Sequence, residues 1–325
     1  MPWGLSSQTV KEGEKAQVEQ GLEPELTRQV RALDSGLALV DLSWWRKVIV
    51  GGADAAGWLN DLLAADLAGM GPGEARRSLL LSPTGRVRAD VTVVRLDDGH
   101  LLVQDPAQPD PVDALLGPYV LSSDVSLADR TAALALLALP GRTGGPPAEL
   151  PTGWVATRPS CLGPGLGLVG PASGRDQVRR ALEADHPGLV EAFEPAVEAW
   201  RIARGTPRFP VDFTPESLPH ETDVGDAVAY TKGCYLGQEA VARVGNLGHP
   251  PFVLVPMRSE GPVSAGDSVL ADGADVGTVT SATPLEGGGS ALIGRVRWAA
   301  RQTMLRTATG SDLAPVTRPA SSASA

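Results

Sequence analysis

Thr231-Lys232-Gly233-Cys234-Tyr235-Leu236-Gly237-Gln238-Glu239 is the stretch on which the reading of this chain turns. A thiol stands two residues after a lysine and next to a tyrosine. Glycines bracket the Cys–Tyr–Leu trio, and an amide and a carboxylate follow at once. Thiolate is a nucleophile and a soft ligand, and a nearby ammonium or helix N-terminus lowers the pKa of a thiol. The stretch therefore reads in two ways: as a rigid, polar mouth presenting one reactive sulfur, or as a buried cysteine beside a tight turn. After it, Gln238–Val244 reads as a short helix that places Glu239 and Arg243 four residues apart on one face, as a brace or as part of the site. Before it, 207–228 is irregular and polar, with Asp212, Glu216, Glu221, Asp223 and Asp226, and belongs on a surface or along a cleft. Beyond Gly248, four short strand patterns (Phe252–Met257, Ser268–Leu270, Val276–Val279, Ala291–Val296) are separated by glycine-containing turns. They predict a small antiparallel domain, a barrel.

The whole chain has 325 residues, which implies two or three domains. Its apolar content of 42% fills them, but with only 4% aromatics the cores are built from Leu, Val and Ala. A net charge of -10 opposes a nucleic-acid backbone while leaving room for a local anion pocket. No apolar run reaches the roughly 18 residues of a membrane span, and 1–20 has no signal-peptide core, so a cytoplasmic location is expected. Cys161 and Cys234 make no disulfide framework and imply reduced thiols. With four histidines they give no zinc spacing, so no stably bound metal is expected. Cys161 reads as structural.

From the start, residues 1–21 are polar. Leu22, Leu26, Val30 and Leu33 then mark a helix that ends before Gly36. Strands follow at Leu37–Val40 and Lys47–Val50, and Asp54 is placed to cap a helix bearing Trp58, Leu59, Leu62 and Leu63. Arg76–Leu81, the Ser82-Pro83-Thr84-Gly85 turn and Arg86–Val94 form a hairpin. Period-two alternation puts Val87, Ala89, Val91 and Val93 on one face and Arg86, Arg88, Asp90 and Thr92 on the other, which is either a solvated face or a pocket wall. Further strands are expected at Leu101–Gln104, Thr131–Leu139, Trp154–Thr157 and Gly165–Val169. Helices are expected near Val112–Leu116, over Ser173–His186 with Arg175 and Arg179 on one face, and over Val190–Arg204. Arg201, Arg204 and Arg208 gather at the end of the last of these, where a helix dipole accounts for them and an anion site is the alternative.

Lys232 to Glu239, with Arg243 after it, resembles the signature of the YgfZ family, folate-binding-type proteins of iron–sulfur cluster maintenance. That family is related to mitochondrial counterparts and, more distantly, to the glycine-cleavage aminomethyltransferase. Weaker similarities follow in order at Asp61–Leu63 with Asp66, Ser82–Val87, Arg201-Ile202 with Gly205, and Gly277–Ser281. The resemblance implies an α+β fold of three lobes: a two-lobed core over 22–250 around a central cavity, and a C-terminal β-barrel over 251–304. Flexible ends at 1–21 and 305–325 lie outside it. It implies a key thiol at Cys234 near the cavity, with Lys232 and Asp90 as its catalytic companions. Tyr235, Gln238, Glu239, Arg243, Arg201 and Arg88 are implied around a tetrahydrofolate. The implied function is a folate-linked accessory factor for iron–sulfur clusters, a monomer meeting client or assembly proteins but neither nucleic acid nor membrane. The alternatives are a tetrahydrofolate-dependent aminomethyltransferase or demethylase, and a non-catalytic scaffold in which Cys234 packs. Two positions depart from the pattern: Ala89 stands in the usual acidic pair, and Ala203 stands where relatives carry a glutamate. A lost carboxylate removes an acceptor for the donors of a pterin ring.

Overall fold

In the computed structural model, which describes residues 23–316, Leu26, Val30 and Leu33 line the inner side of α1 (Pro24–Ser35). Gly36, at φ 74°, ends the helix by donating its N–H to Ala32 O, and so turns the chain into β1 (Ala38–Asp41). The expected ends at 1–21 and from 317 onward lie outside the described residues.

Two sheets make the core, one mixed and one antiparallel. The first sheet runs β10 (Val190–Glu191), β1, β7 (Leu134–Pro140), β9 (Gly165–Pro171), β8 (Val155–Thr157). It is antiparallel except where Ala38 pairs with Val190 in parallel. The second is antiparallel throughout, in the order β3 (Ala75–Leu81), β4 (Val87–Leu96), β5 (Gly99–Gln104), β2 (Arg46–Gly51), β6 (Ser126–Asp129). The chain crosses from the first sheet to the second between β1 and β2, and returns between β6 and β7.

Alternation along β4 decides which way the second sheet faces. Ala89, Val91 and Val93 are buried against α2 (Ala55–Leu62) and α3 (Val112–Leu116), with Trp58, Leu59 and Val112. The first sheet packs its outer face, Leu39 and Leu137, on Val178 and Leu182 of α4 (Arg175–Asp185). Between the sheets, Val40 and Leu136 meet Val94 and Val103, closed at one side by α1 and α5 (Glu194–Ala203).

The third unit is a closed barrel: β11 (Phe252–Ser259), β14 (Ser290–Arg297), β13 (Ala274–Pro284), β12 (Ser268–Ala271), β15 (Leu305–Thr307), β16 (Asp312–Pro315), returning to β11. Its inner face holds Met257, Val269, Val279, Leu292 and Val296. Its outer face joins the core, where Leu254 and Ile293 pack with Leu81, Val87, Tyr235 and Val241, the last from α6 (Gln238–Leu247). Gly237 makes this junction tight: at φ 82°, an added Cβ would stand 2.5 Å from Ser82 O of the β3–β4 turn.

Three expectations are corrected. The tail expected from residue 305 supplies β15 and β16, because Leu305 and Leu313 fill the barrel and two leucines suffice to close it. Asp54 makes no side-chain cap; its carboxylate accepts the Asp124 N–H instead, locking two loops together. The helix expected over 190–204 begins only at Glu194, because Val190 and Glu191 pair with β1.

Candidate functional site

Between the two sheets and α5 lies a cavity of about 1870 Å³. Its walls come from the residues after β1 (Trp44, Trp45), the cavity-facing positions of β3 and β4 (Arg77, Asp90, Thr92), the β8–β9 loop (Arg158, Cys161), and 191–209. The carboxylates of Asp41, Glu74, Asp90, Asp105, Glu191, Glu194, Glu198 and Asp226 outnumber the guanidiniums of Arg76, Arg77, Arg158, Arg201, Arg204 and Arg208 by eight to six. Trp44 and Phe193 are exposed aromatics on the wall of this acidic space.

Asp90 is the best-held acid. Arg77 grips it with Nε–Oδ1 at 2.9 Å and Nη2–Oδ2 at 2.5 Å, and donates its remaining bond to Pro207 O at 3.0 Å. Gln108 clamps the Asp90 backbone on both sides, accepting from its N–H at 3.0 Å and donating to its carbonyl at 2.7 Å. Paired guanidinium and carboxylate planes leave one lone pair on each oxygen for a ligand. The side chain keeps 11% of its surface exposed.

A second network supports the floor. Arg201 is buried and bonds Glu198 (Nε–Oε2 2.7 Å), Asp212 (Nη1–Oδ2 2.7 Å), Thr206 O and Ser281 Oγ. Asp212 is wholly buried and accepts in addition from Arg208 N–H, Thr280 Oγ1 and Ser281 Oγ. Arg208 reaches Asp105 at 2.7 Å. Burial pushes the Glu198 carboxyl up, but the hydrogen bonds and charges of Arg201 and Arg208 outweigh it and hold the group below its ordinary range. The arginines at the end of α5 therefore do more than suit its dipole: Arg201 ties α5 to the 206–212 loop and to the barrel.

The Lys232–Glu239 stretch lies elsewhere. Lys232 donates all three ammonium protons to carbonyls in the last turn of α2 and just beyond it: Asn60 O (2.6 Å), Leu63 O (2.6 Å) and Ala65 O (2.7 Å). Burial pulls its pKa down to about 8, against Asp66 and Asp61. The ammonium also lies 4.9 Å from the Tyr235 ring centre. Lys232 is thus committed to backbone acceptors rather than to the thiol. Cys234 is exposed, and no residue of 227–239 lines the cavity. Tyr235 is buried in the core, and Gln238 reaches Lys232 O at 3.4 Å. Glu239 and Arg243 are both exposed on α6, and no ion pair joins them. Arg88 pairs with Asp110 at 3.2 Å, also outside the lining.

Of the residues expected around the thiol and the folate, Asp90 and Arg201 line the cavity, as do Arg204 and Arg208 of the same arginine group, whereas Cys234, Lys232, Tyr235, Gln238, Glu239, Arg243 and Arg88 do not. Sequence reasoning missed Arg77, Glu198 and Cys161 as wall residues, since each belongs to an ordinary-looking stretch, while Asp226 comes from the acidic segment expected on a surface or along a cleft. The adjacent Trp44 and Trp45, conspicuous in an aromatic-poor chain, were an available signal. Burial pushes the Cys161 thiol up to about 12. Iodoacetamide at pH 8 is therefore expected to modify Cys234 first and leave Cys161 largely untouched in the folded protein. Peptide mass mapping over time checks this, and equal labelling of both would contradict the assigned exposures.

The comparisons with known proteins agree with this geometry. A profile described as the GCVT N-terminal domain matches residues 2–146. An aminomethyltransferase of Streptomyces avermitilis is 28% identical over 287 residues, 78% of this chain and 76% of its own length. A putative chloroplastic transferase of Arabidopsis thaliana is 25% identical over 275 residues, 78% of this chain but only 63% of its own length. Among solved structures, the glycine cleavage system aminomethyltransferase T of Bartonella henselae superposes with a TM-score of 0.78, covering 96% of this chain and 97% of that one at 20% identity. Among the described residues no three His, Cys, Asp or Glu side chains gather as a metal-binding group, and no helix is long and apolar enough to cross a membrane. Two sheets around an acidic cavity, a closing barrel and these similarities together give this chain a GcvT-like, aminomethyltransferase-type fold and make it a distant homologue of the aminomethyltransferases.

Proposed function

We propose that the chain binds a reduced folate in the cavity between its sheets and uses it in one-carbon transfer from an amine. The observation that carries this reading is Asp90, presented to the cavity with its plane fixed by Arg77 and lone pairs to spare. The residues present suit such a group. Asp90, Glu198 and Asp226 offer acceptors for pterin N–H donors in place of the carboxylate lost at Ala203, and Trp44, Trp45 and Phe193 offer ring faces. A bound reduced folate supplies the nitrogen that carries the one-carbon unit. The acid-rich lining attracts a protonated amine, and Asp90 accepts its N–H and fixes its direction. Arg77 keeps that carboxylate from rotating away. An Asp90→Asn enzyme is expected to lose about 10²-fold or more of its turnover, the range of a lost positioned acid–base group. The assay follows methylene-folate formation from tetrahydrofolate and a panel of aminomethyl thioethers, whose carbon is already at the formaldehyde oxidation level, so that the two folate nitrogens displace thiol and ammonia and no oxidant is needed. No turnover by the unmodified protein across a broad panel would sink the reading.

The iron–sulfur accessory role keeps one specific support: Cys234 is exposed, outside the cavity lining, where another protein can reach it. Exposure also tells against a merely packing cysteine. Expression of the chain and of its Cys234→Ser form in cells lacking their own YgfZ-type protein separates the readings. Rescue of an iron–sulfur enzyme by the first alone ties the thiol to cluster maintenance, and rescue by both removes the thiol from that role.

A further inference from the structure

Most arginines of the described residues are spent internally on carboxylates or carbonyls, whereas Arg295 and Arg297 of the barrel face an aromatic ring and Arg301 beside them has one carbonyl partner. Arg295 stacks 3.7 Å from the Phe252 ring centre, and Arg297 stands 5.4 Å from the same ring. Arg301 stacks 3.7 Å from Trp298, whose ring also lies parallel to His249 at 5.3 Å. Backbone pairing holds the two stacks side by side: Phe252 opposes Arg297 across β11 and β14, and Trp298 N–H bonds Pro251 O at 3.0 Å. Among the described residues no carboxylate lies within ion-pair distance of any of the three. Arg301 bonds only the Trp298 carbonyl.

We infer that this ladder of guanidiniums on aromatic rings is a docking surface for an acidic segment of a partner protein. The argument is one of charge and preparation. A guanidinium stacked by its face keeps its edge N–H groups free, in the fork geometry that carboxylates match. Its rotamer is already restricted, so less entropy is lost when a partner arrives. Arginine and tryptophan are also the residues most often found at the energetic centres of interfaces. A carboxylate-bearing segment suits three forks, whereas a nucleic acid would meet a chain of net charge -10 with too few cations to hold its backbone. In the chain, α6, ten residues or about 15 Å long, stands between the loop that carries the exposed Cys234 and His249 of the ladder. The inference rests on the barrel geometry and stands apart from the folate reading.

The test uses the full chain and a fluorescein-labelled ten-residue peptide of alternating Glu and Gly, read by anisotropy at low salt. Binding is expected despite the like net charge, and it should weaken as salt rises. An Arg297→Glu/Arg301→Glu variant should lose at least about tenfold in affinity, as charge reversal at a docking patch does. An Arg130→Glu/Arg180→Glu variant, with the same change in net charge at exposed arginines elsewhere, should stay within about twofold. Circular dichroism confirms that both fold. No binding by the unmodified chain, equal losses in the two variants, or tighter binding of a labelled ten-nucleotide DNA would each overturn the proposal. So would sedimentation showing that the patch is covered by a second copy of this chain.

Discussion

Replacement of Asp212 by alanine is expected to cost about 3–5 kcal/mol, the usual loss when one partner of a buried charge pair is removed. Asp212 is wholly buried and takes bonds from Arg201, Arg208 N–H, Thr280 and Ser281. Without it, the buried Arg201 keeps Glu198 as its only charged partner, and two hydroxyls of β13 lose an acceptor. The expected reading is a urea midpoint far below that of the unmodified protein with little change in slope. Ser281→Ala, which removes one neutral contact, should cost only about 1 kcal/mol. If the two substitutions cost the same, Asp212 does not organise the junction between α5 and the barrel. Because Arg201 lines the cavity, Asp212→Ala should also weaken any ligand bound there.

Lys232→Met is the second large effect, expected at about 2–4 kcal/mol, since loss of the ammonium leaves Asn60, Leu63 and Ala65 carbonyls to find water. Methionine keeps most of the aliphatic stem, so the loss measures polar satisfaction rather than packing. The second readout is local: amides of 229–236, which include the Ala229–Ala64 and Leu236–Asp61 bonds, should exchange hydrogen faster than those of β4. Unchanged exchange there would mean that the loop is held by its backbone contacts alone. An unchanged thiol reactivity at Cys234 in this variant would agree with an ammonium that serves the backbone and not the sulfur.

What the sequence made legible follows from how local each cause is. The helix stripe Leu26, Val30, Leu33 and the alternation Val87, Ala89, Val91, Val93 are written in neighbouring residues, and both sets turn inward, Val87 at the barrel junction and the other three against α2 and α3. The same alternation set Asp90 opposite the apolar face without deciding between solvent and a pocket wall, and the structure turns Asp90 and Thr92 to the cavity while Arg86 and Arg88 stay outside its lining. Lys232 could not be read in this way, because its acceptors lie about 170 residues earlier in the chain. Arg201 looked like a helix-end cation because its decisive partner, Asp212, stands in an irregular loop and Ser281 in a distant strand. β15 and β16 escaped because a barrel stave of three or four residues needs only one inward leucine, too little for a pattern to register. The docking of 227–239 away from the cavity depends on the pairing of that loop with 60–65, which no spacing encodes.

The double crossing of the chain between its sheets has a consequence for how this protein can be divided. A gene ending at residue 146, where the family profile stops, would produce β1 to β7 without β8, β9 and β10. β7 would lose its seven-residue pairing with β9, β1 would lose β10, and the wall holding Arg158 and Glu198 would be gone. Two raw strand edges would face solvent, the condition in which chains pair with one another instead of folding. The unit that can be inherited, shuffled or expressed alone must therefore run past α5, even though the similarity recorded by the profile ends sooner.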